Sequence, residues 1–114
     1  MSQSLSRVLL HLVFSTKHRE SLIGSTLQPD MHAYLGGTLS RIHCTPILVG
    51  GTADHVHMLL GLGRTICVAD MMEQLKSGSS KWAKGQGCAE FAWQAGYGAF
   101  SVSESKASEV AQYI

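Results

Sequence analysis

Apolar residues recur along this chain at two spacings, which predict an ordered series of strands and helices. Near the N-terminus the pattern predicts a strand from Arg7 to Ser15, with its even-numbered side chains on one face and its odd-numbered side chains on the other. Short apolar segments bounded by turn residues predict three further strands, at about 45–50, 55–60 and 96–103. The second and third of these four strands are joined by a short glycine-containing connection, which predicts a hairpin.

Helical spacing of apolar residues predicts two longer helices and a short last one. The first is expected over 28–42, where Pro29 suits the first turn. The second follows an apolar stripe over 66–82 and is expected to end at the glycines of 85–87. The last helix carries Tyr113, and Ser103 or Ser105 is expected to cap it.

The predicted order, β-α-β-β-α-β followed by one more helix, is that of an α+β domain of the ferredoxin-like (RRM-like) class. In that layout the sheet is antiparallel, both long helices cover one face, and the first and third strands lie side by side at its centre. The other face of the sheet is then free to bind something. Residues 1–114 contain no internal repeat or linker and are interpreted as one domain.

Composition and charge exclude some classes of protein but do not by themselves indicate a function. The chain has 114 residues and a formal net charge of +1, which neither indicates nor excludes nucleic-acid binding because local patches matter more than the total. No apolar run reaches the length of a membrane span, and none resembles a signal peptide. The three cysteines form no CxxC pair, which favours a reducing, cytoplasmic location and a role as small apolar residues.

The strongest chemical signal is the pair His55 and His57, in the run DHVHMLL at 54–60. Residues two apart on a strand share a face, so both imidazoles are expected to point the same way, with His11 beside them on the neighbouring strand. Two neutral imidazoles at this spacing can bind one divalent metal ion. A pair of ordinary hydrogen-bonded histidines is the commoner alternative. No carboxylate or third histidine follows His57, so a third ligand must come from elsewhere.

Basic residues occur in two local groups. Lys17 and Arg19 follow the first strand, while Lys76 and Lys81 lie on the second predicted helix. These four side chains are candidate contacts to DNA phosphates. A solvated helix face would show much the same pattern, so the groups alone do not decide between the two interpretations.

Three blocks together resemble a known family. They are HLVFSTKHR at 11–19, DHVHMLL at 54–60, and FAWQAGYGAFSVS at 91–103 running on to Tyr113 and Ile114. In this order and spacing they resemble the single-tyrosine HUH transposases of small bacterial insertion sequences, the IS200-like group. The segment LKSGSSKW at 75–82 also resembles the family's second helix. The resemblance covers nearly the whole chain.

The resemblance implies a DNA strand transferase that cuts and rejoins single-stranded DNA at the hairpin ends of an insertion sequence. It assigns His55 and His57 to a Mg²⁺ or Mn²⁺ ion, and Tyr113 to the nucleophile that forms a 5′-phosphotyrosine. It also implies a homodimer in which the tyrosine helix of one subunit often serves the other. The family's remaining metal ligand, a Gln one turn after the tyrosine, falls beyond Ile114. We therefore expect the front part of a longer protein, weakly active or inactive as it stands.

Rival interpretations remain at this stage. Tyr97, at a strand start beside glycines, is expected to be a packed strand aromatic, and Tyr34 a core or boundary residue, so Tyr113 is the preferred nucleophile. A ferredoxin-like module that binds single-stranded nucleic acid without catalysis would have the same element order. A small metal-dependent hydrolase is disfavoured because the third ligand and the carboxylate base are missing.

Overall fold

The computed structural model describes residues 6–114 as an alternating series of strands and helices. The strands are β1 (Leu9–Ser15), β2 (Thr45–Gly51), β3 (His55–Gly61) and β4 (Gly98–Val102), and the helices are α1 (Gln28–Arg41), α2 (Val68–Gly85) and α3 (Ala107–Tyr113). Single 3-10 turns, Lys17–Arg19 and Glu104–Lys106, follow β1 and precede α3. Each predicted strand and helix is present, with ends that shift by one or two residues.

The four strands form one antiparallel sheet in the order β2-β3-β1-β4. β1 and β3 are therefore the central pair, and their register sets Val13 opposite His57. The short β2–β3 connection makes the predicted hairpin, with a register shift between Pro46 and Leu48. The ferredoxin-like α+β prediction is confirmed.

The hydrophobic core lies between the sheet and the two long helices. Alternate residues of β1 and β3 enter it, which leaves the intervening residues of both strands on the opposite face. That opposite face, which carries His11, His55 and His57, is called the open face below. The core residues contributed by the strands and by α1 and α2 are Leu10, Leu12, Phe14, Val56, Met58, Leu60, Met31, Leu35, Leu39, Met71, Met72, Leu75 and Ala83.

The helix boundaries follow local chemistry. α1 has Pro29 in its first turn, as expected, because proline lacks the N–H that has no helical partner there. At the start of α2, the Sγ atom of Cys67 accepts a hydrogen bond from the Asp70 backbone. Cys67 is therefore an exposed helix cap, whereas Cys44 is buried as expected of a small apolar residue. None of the helices within residues 6–114 is long and apolar enough to cross a membrane.

Two expectations about the edges of elements were wrong. β1 begins at Leu9 rather than Arg7, and Val8 lies outside the core with 42% of its surface exposed. The cap of α3 is Lys106, which makes no side-chain capping bond, while Ser103 and Ser105 bond each other at 3.2 Å between their hydroxyls. The 3-10 turn at 104–106 explains the second difference, because it separates both serines from the start of the α-helix.

The third helix lies on the open face. The Cγ2 atom and the carbonyl of Ile114, which follows α3, lie against Gly50 of β2. Leu9 and Leu59 project from this face and are nevertheless 3% and 1% exposed. The open face is therefore covered along part of its length, and α3 sits beside the histidines.

Candidate active site on the open sheet face

His55 and His57 lie side by side on β3, as the two-residue spacing predicts. Their ring centroids are 4.9 Å apart, with the ring planes at 74° to each other. The neighbouring strand adds His11, whose ring stacks on His57 at a centroid distance of 5.3 Å. Three imidazoles thus meet on two adjacent central strands, whose relative position is fixed by the backbone hydrogen bonds of the sheet.

Each of the paired histidines has its Nδ1 atom engaged by a neighbour. His55 Nδ1 donates to Asp54 Oδ1 at 2.6 Å and lies 3.0 Å from the Thr52 hydroxyl. His57 Nδ1 lies 3.1 Å from His11 Nε2, so these two atoms share one proton between them. The Nε2 atoms of His55 and His57 have no hydrogen-bond partner among residues 6–114. A neutral imidazole that donates from Nδ1 presents its Nε2 lone pair to a metal ion or a substrate, which holds for His55 and holds for His57 in the tautomer that donates to His11.

Burial and hydrogen bonding tune the charges here. Burial lowers the pKa of His57, and the nearby His55 and His11 lower it further. Burial also lowers the pKa of His11. The hydrogen bond from His55 is the main cause that holds the pKa of Asp54 below its usual range, with smaller contributions from Thr52 and Arg19. His11 and His57 are thus favoured in the neutral form, which is the form that binds metal.

Tyr113 stands over the histidines from the end of α3. Its ring centroid is 5.7 Å from that of His57 and 6.1 Å from that of His11, and its ring plane is nearly perpendicular to both. The side chain is 74% exposed, so its phenol is accessible to a large substrate. The structure therefore brings the predicted nucleophile to the predicted metal-binding pair within one chain.

The two rival tyrosines lie in different surroundings. Tyr34 stacks on Trp82 at 5.2 Å between α1 and α2, away from the open face, as expected of a boundary residue. Tyr97 was expected to be packed in a strand, but it precedes β4, is 44% exposed and lines the cleft beside the histidines. Gly96, directly before it, has a positive φ of 88°, and β4 begins only at Gly98.

A cleft of about 390 Å³ runs beside the histidines, between the end of β1 and the segment before β4. Its wall includes Arg19, whose guanidinium lies 3.6 Å from Asp54 Oδ1. Both His18 and Arg19 have positive φ, 56° and 54°, a conformation that costs about 1–2 kcal/mol for each residue with a side chain. The backbone N–H of His18 donates to Gln94 Oε1 at 3.0 Å, which helps to offset that cost.

The four predicted DNA contacts are not brought together. Arg19 lies in the cleft and Lys17 belongs to the same turn. The Lys76 ammonium instead donates to the carbonyls of Gln94 and Gly96, at 2.8 and 2.6 Å, and burial lowers its pKa. Lys81 is exposed on α2, which packs on the other side of the sheet. Lys76 therefore holds the wall of the cleft in place.

No group of three or more His, Cys, Asp or Glu side chains among residues 6–114 is arranged to hold a metal ion. The two Nε2 atoms of His55 and His57 suit two positions of a divalent ion, and imidazole suits manganese at least as well as magnesium. The sequence interpretation overlooked Asp54 and Thr52 as partners of His55. The sequence does contain a signal for Asp54, which is an acidic residue directly before His55.

Comparisons with known proteins identify a family and a shared fold. The family of IS200-like transposases matches residues 4–114. A Deinococcus radiodurans R1 protein assigned as a transposase superposes with a TM-score of 0.79 at 20% identity, covering 99% of this chain and 95% of that one. A REP-associated tyrosine transposase bound to a REP hairpin gives a TM-score of 0.71 at 14% identity, over 100% of this chain and 70% of that one. The comparison with curated proteins gave no match.

The two structural likenesses are below 25% identity and establish the shared fold. The family match is the stronger statement, because it extends over almost all of the sequence and includes the histidine strand and the tyrosine helix. The chain belongs to the IS200-like transposase family, and is a DNA transposase by that membership.

Proposed function

We propose that this protein cleaves and rejoins single-stranded DNA at insertion-sequence ends, with Tyr113 as the nucleophile. The observation that carries the proposal is the distance of 5.7 Å between the ring centroids of Tyr113 and His57. Helix α3, which lies on the open face, brings the two rings together. A phenol has an ordinary pKa near 10, so it needs a site that favours developing negative charge. Arg19 carries positive charge in the cleft, and a divalent ion held by His55 and His57 would add to it.

The proposed reaction exchanges one phosphodiester for another. The Tyr113 oxygen bonds to the scissile phosphorus while the bond from phosphorus to the 3′-oxygen breaks. The phenol loses a proton and the 3′-oxygen gains one, which leaves a 5′-phosphotyrosine and a free 3′-hydroxyl. Because the covalent link conserves the ester bond, the reverse step rejoins DNA without ATP.

His55 and His57 are the residues that would hold the metal ion, through their Nε2 atoms. A bound Mg²⁺ or Mn²⁺ would supply positive charge beside the phosphate. Asp54 and His11 would keep both rings oriented by holding their Nδ1 atoms. Replacing either His55 or His57 by Ala should weaken Mn²⁺ binding strongly in calorimetry and leave the fold nearly intact. Unchanged affinity in both variants would place the metal elsewhere.

The decisive experiment looks for the covalent intermediate. Labelled single-stranded oligonucleotides carrying the hairpins that flank the coding sequence are incubated with the protein and Mn²⁺, then resolved on a denaturing gel. We expect a protein–DNA adduct in low yield with the wild type and with Tyr97→Phe, and none with Tyr113→Phe. Tyr97→Phe is the matched control because Tyr97 is the other tyrosine beside the cleft. An adduct in the Tyr113→Phe variant would refute the assignment.

A homodimer is part of the proposal and needs its own test. In this chain Tyr113 lies against its own histidines. Light scattering measures whether two copies associate. Mixing Tyr113→Phe with His57→Ala then distinguishes the arrangements: restored adduct means that the helix of one subunit serves the other, and no adduct means that each chain uses its own tyrosine. A non-catalytic DNA-binding module would bind the oligonucleotide without any adduct.

A further inference from the structure

Two aromatic side chains remain exposed beside the cleft. Tyr97 is 44% exposed, and Phe100 on β4 is 59% exposed. A phenylalanine left in water forgoes the free energy that burial would provide, about 25 cal/mol for each Å² of apolar surface. One exposed apolar residue is common on a protein surface, but two exposed aromatic rings beside the same cleft are a feature that a binding surface would have.

Phe100 continues a row of rings across the open face. It pairs in register with His11 on β1, and the two ring centroids are 6.3 Å apart. His11 in turn stacks on His57 at 5.3 Å, and His57 meets His55 at 4.9 Å. The Phe100 ring therefore extends the histidine site toward the β4 edge of the sheet.

Gly98 gives the Phe100 ring its position. The two residues share the open face of β4, and a Cβ built on Gly98 would lie 3.0 Å from Cε2 and 3.3 Å from Cζ of Phe100. The ring thus lies over Gly98, which itself lines the cleft. A Cβ at 98 would force the Phe100 ring to shift by a few tenths of an ångström. The ring lies back along β4 toward Gly98 and is 59% exposed, so it is accessible to a flat partner.

We propose that Phe100, together with Tyr97, is a stacking platform for unpaired bases of the single-stranded DNA substrate. This inference rests on the proposed function, because it places those bases next to the cleaved phosphate. Bases stack on aromatic side chains whatever their sequence, with a free energy of about 1–3 kcal/mol per base. Arg19 lies in the same cleft and suits the neighbouring phosphate.

Few basic side chains are placed to neutralise phosphates on the open face. Of the four candidate contacts, Lys76 is engaged by two carbonyls and Lys81 lies on α2 on the other side of the sheet, which leaves Lys17 and Arg19. Counterion release scales with the number of phosphates neutralised, so two such contacts provide only a limited part of the affinity. Base stacking can supply the missing free energy. A second copy of the chain would be the other occupant of an exposed ring, and the test below separates the two.

The test measures binding of a 5′-labelled, unstructured oligonucleotide by fluorescence anisotropy, using Phe100→Leu and Phe100→Trp. We expect Phe100→Leu to weaken binding on the order of 5- to 150-fold, and Phe100→Trp to retain it. An abasic oligonucleotide of equal length should bind wild type and Phe100→Leu alike. Gly98→Ala should weaken binding to the base-bearing strand although it adds apolar surface. Leu48→Ala, on the same face at the opposite edge of the sheet, is the matched control and should change nothing.

Three outcomes would overturn the platform. One is equal affinity of wild type and Phe100→Leu for the base-bearing oligonucleotide. Another is the same loss on the abasic strand, and the last is a shift from dimer to monomer in Phe100→Leu that accounts for the loss. If wild type forms the Tyr113 adduct while Phe100→Leu binds normally, the inference fails and the proposed function stands. If base-dependent binding needs Phe100 but no adduct forms, the platform stands and the proposed nucleophile fails.

Discussion

Single side chains hold the cleft together through contacts that cross the chain. Lys76 of α2 donates to the carbonyls of Gln94 and Gly96, which are 18 and 20 residues away. Gly96 has a positive φ of 88°, which glycine tolerates better than residues with a Cβ. The sequence suggests Lys76 as a phosphate contact. In the structure it acts as a clamp, because its two hydrogen bonds hold the segment that carries Tyr97.

Replacing Lys76 by Met should loosen this segment. Two charge-assisted hydrogen bonds are lost from a partly exposed site, so we expect the free energy of unfolding to fall by about 1–2 kcal/mol. Amide hydrogen exchange should accelerate at residues 95–98. Lys81→Met on the same helix is the control, since Lys81 has no hydrogen-bond or ion-pair partner within residues 6–114, and it should cost less than about 0.5 kcal/mol. Equal amide protection of residues 95–98 in the two variants would show that Lys76 does not hold this segment in place.

His32 on α1 predicts a pH-dependent stability. Its Nε2 atom is buried without a hydrogen-bond partner in the described chain, and burial lowers the pKa of His32 below its usual 6.5. The unfolded state therefore binds more protons than the native state below pH 6.5, and the free energy of unfolding decreases as pH falls through that range. The contribution is fully present only above pH 6.5.

Substituting His32→Leu should remove two costs to stability: the buried Nε2 atom that has no hydrogen-bond partner, and the protonation of a buried imidazole at low pH. We expect about 1 kcal/mol more stability at pH 7.5, because an orphaned polar atom is lost, and a larger gain at pH 5. Urea unfolding at the two pH values measures the difference. Ala33→Leu, on the exposed side of the same helix, adds the same side chain without removing a titrating group and serves as the control. A gain that does not grow toward pH 5 would contradict the argument.

At the scale of elements, α3 decides whether the tyrosine meets the histidines. Its end packs on β2, where a Cβ on Gly50 would lie 2.8 Å from Ile114 Cγ2 and 3.0 Å from the Ile114 carbonyl oxygen. Gly50 pairs in register with His57, so the close approach is directly beside the site. A helix of seven residues is marginal alone and depends on such contacts.

Gly50→Ala should therefore displace the end of α3. A shift of about 1 Å in a reacting group can cost on the order of a hundredfold in rate, so we expect adduct formation to fall at least tenfold while the melting temperature changes little. Gly37→Ala is the control: its added methyl meets nothing within 4 Å, and a helical Gly→Ala change stabilises by about 1 kcal/mol. If Gly50→Ala reacts at the wild-type rate, this docking does not position Tyr113.

At the scale of the whole molecule, the positive charge is spread over two faces. Lys17 and Arg19 follow β1 at the cleft, whereas Lys81 lies on the helical layer. A DNA strand confined to the open face would contact Lys17 and Arg19 but would not reach Lys81. The salt dependence of binding counts the phosphates contacted and so reports the path of the DNA.

Removing a true phosphate contact should lower the slope of log affinity against log salt by about 0.7 for single-stranded DNA. We expect this decrease for Lys17→Ala and Arg19→Ala, and an unchanged slope for Lys81→Ala. Anisotropy titrations between 50 and 200 mM salt, roughly the range over which such slopes are resolved, measure it. A lower slope in Lys81→Ala would show that the DNA crosses α2, where the sequence places candidate phosphate contacts. Unchanged slopes in all three would remove the electrostatic contacts.

The sequence by itself determined the elements, their order and the pairing of His55 with His57. These follow from short-range periodicity, since residues two apart on a strand share a face wherever that strand lies. The tertiary structure alone decided what surrounds them: the docking of α3, the clamp by Lys76, the His11–His57 bond and the exposed Phe100. It also corrected the expectations for the start of β1, for the serine cap and for Tyr97. Each of these depends on residues distant in sequence or on how a turn closes, and local pattern carries no record of such contacts.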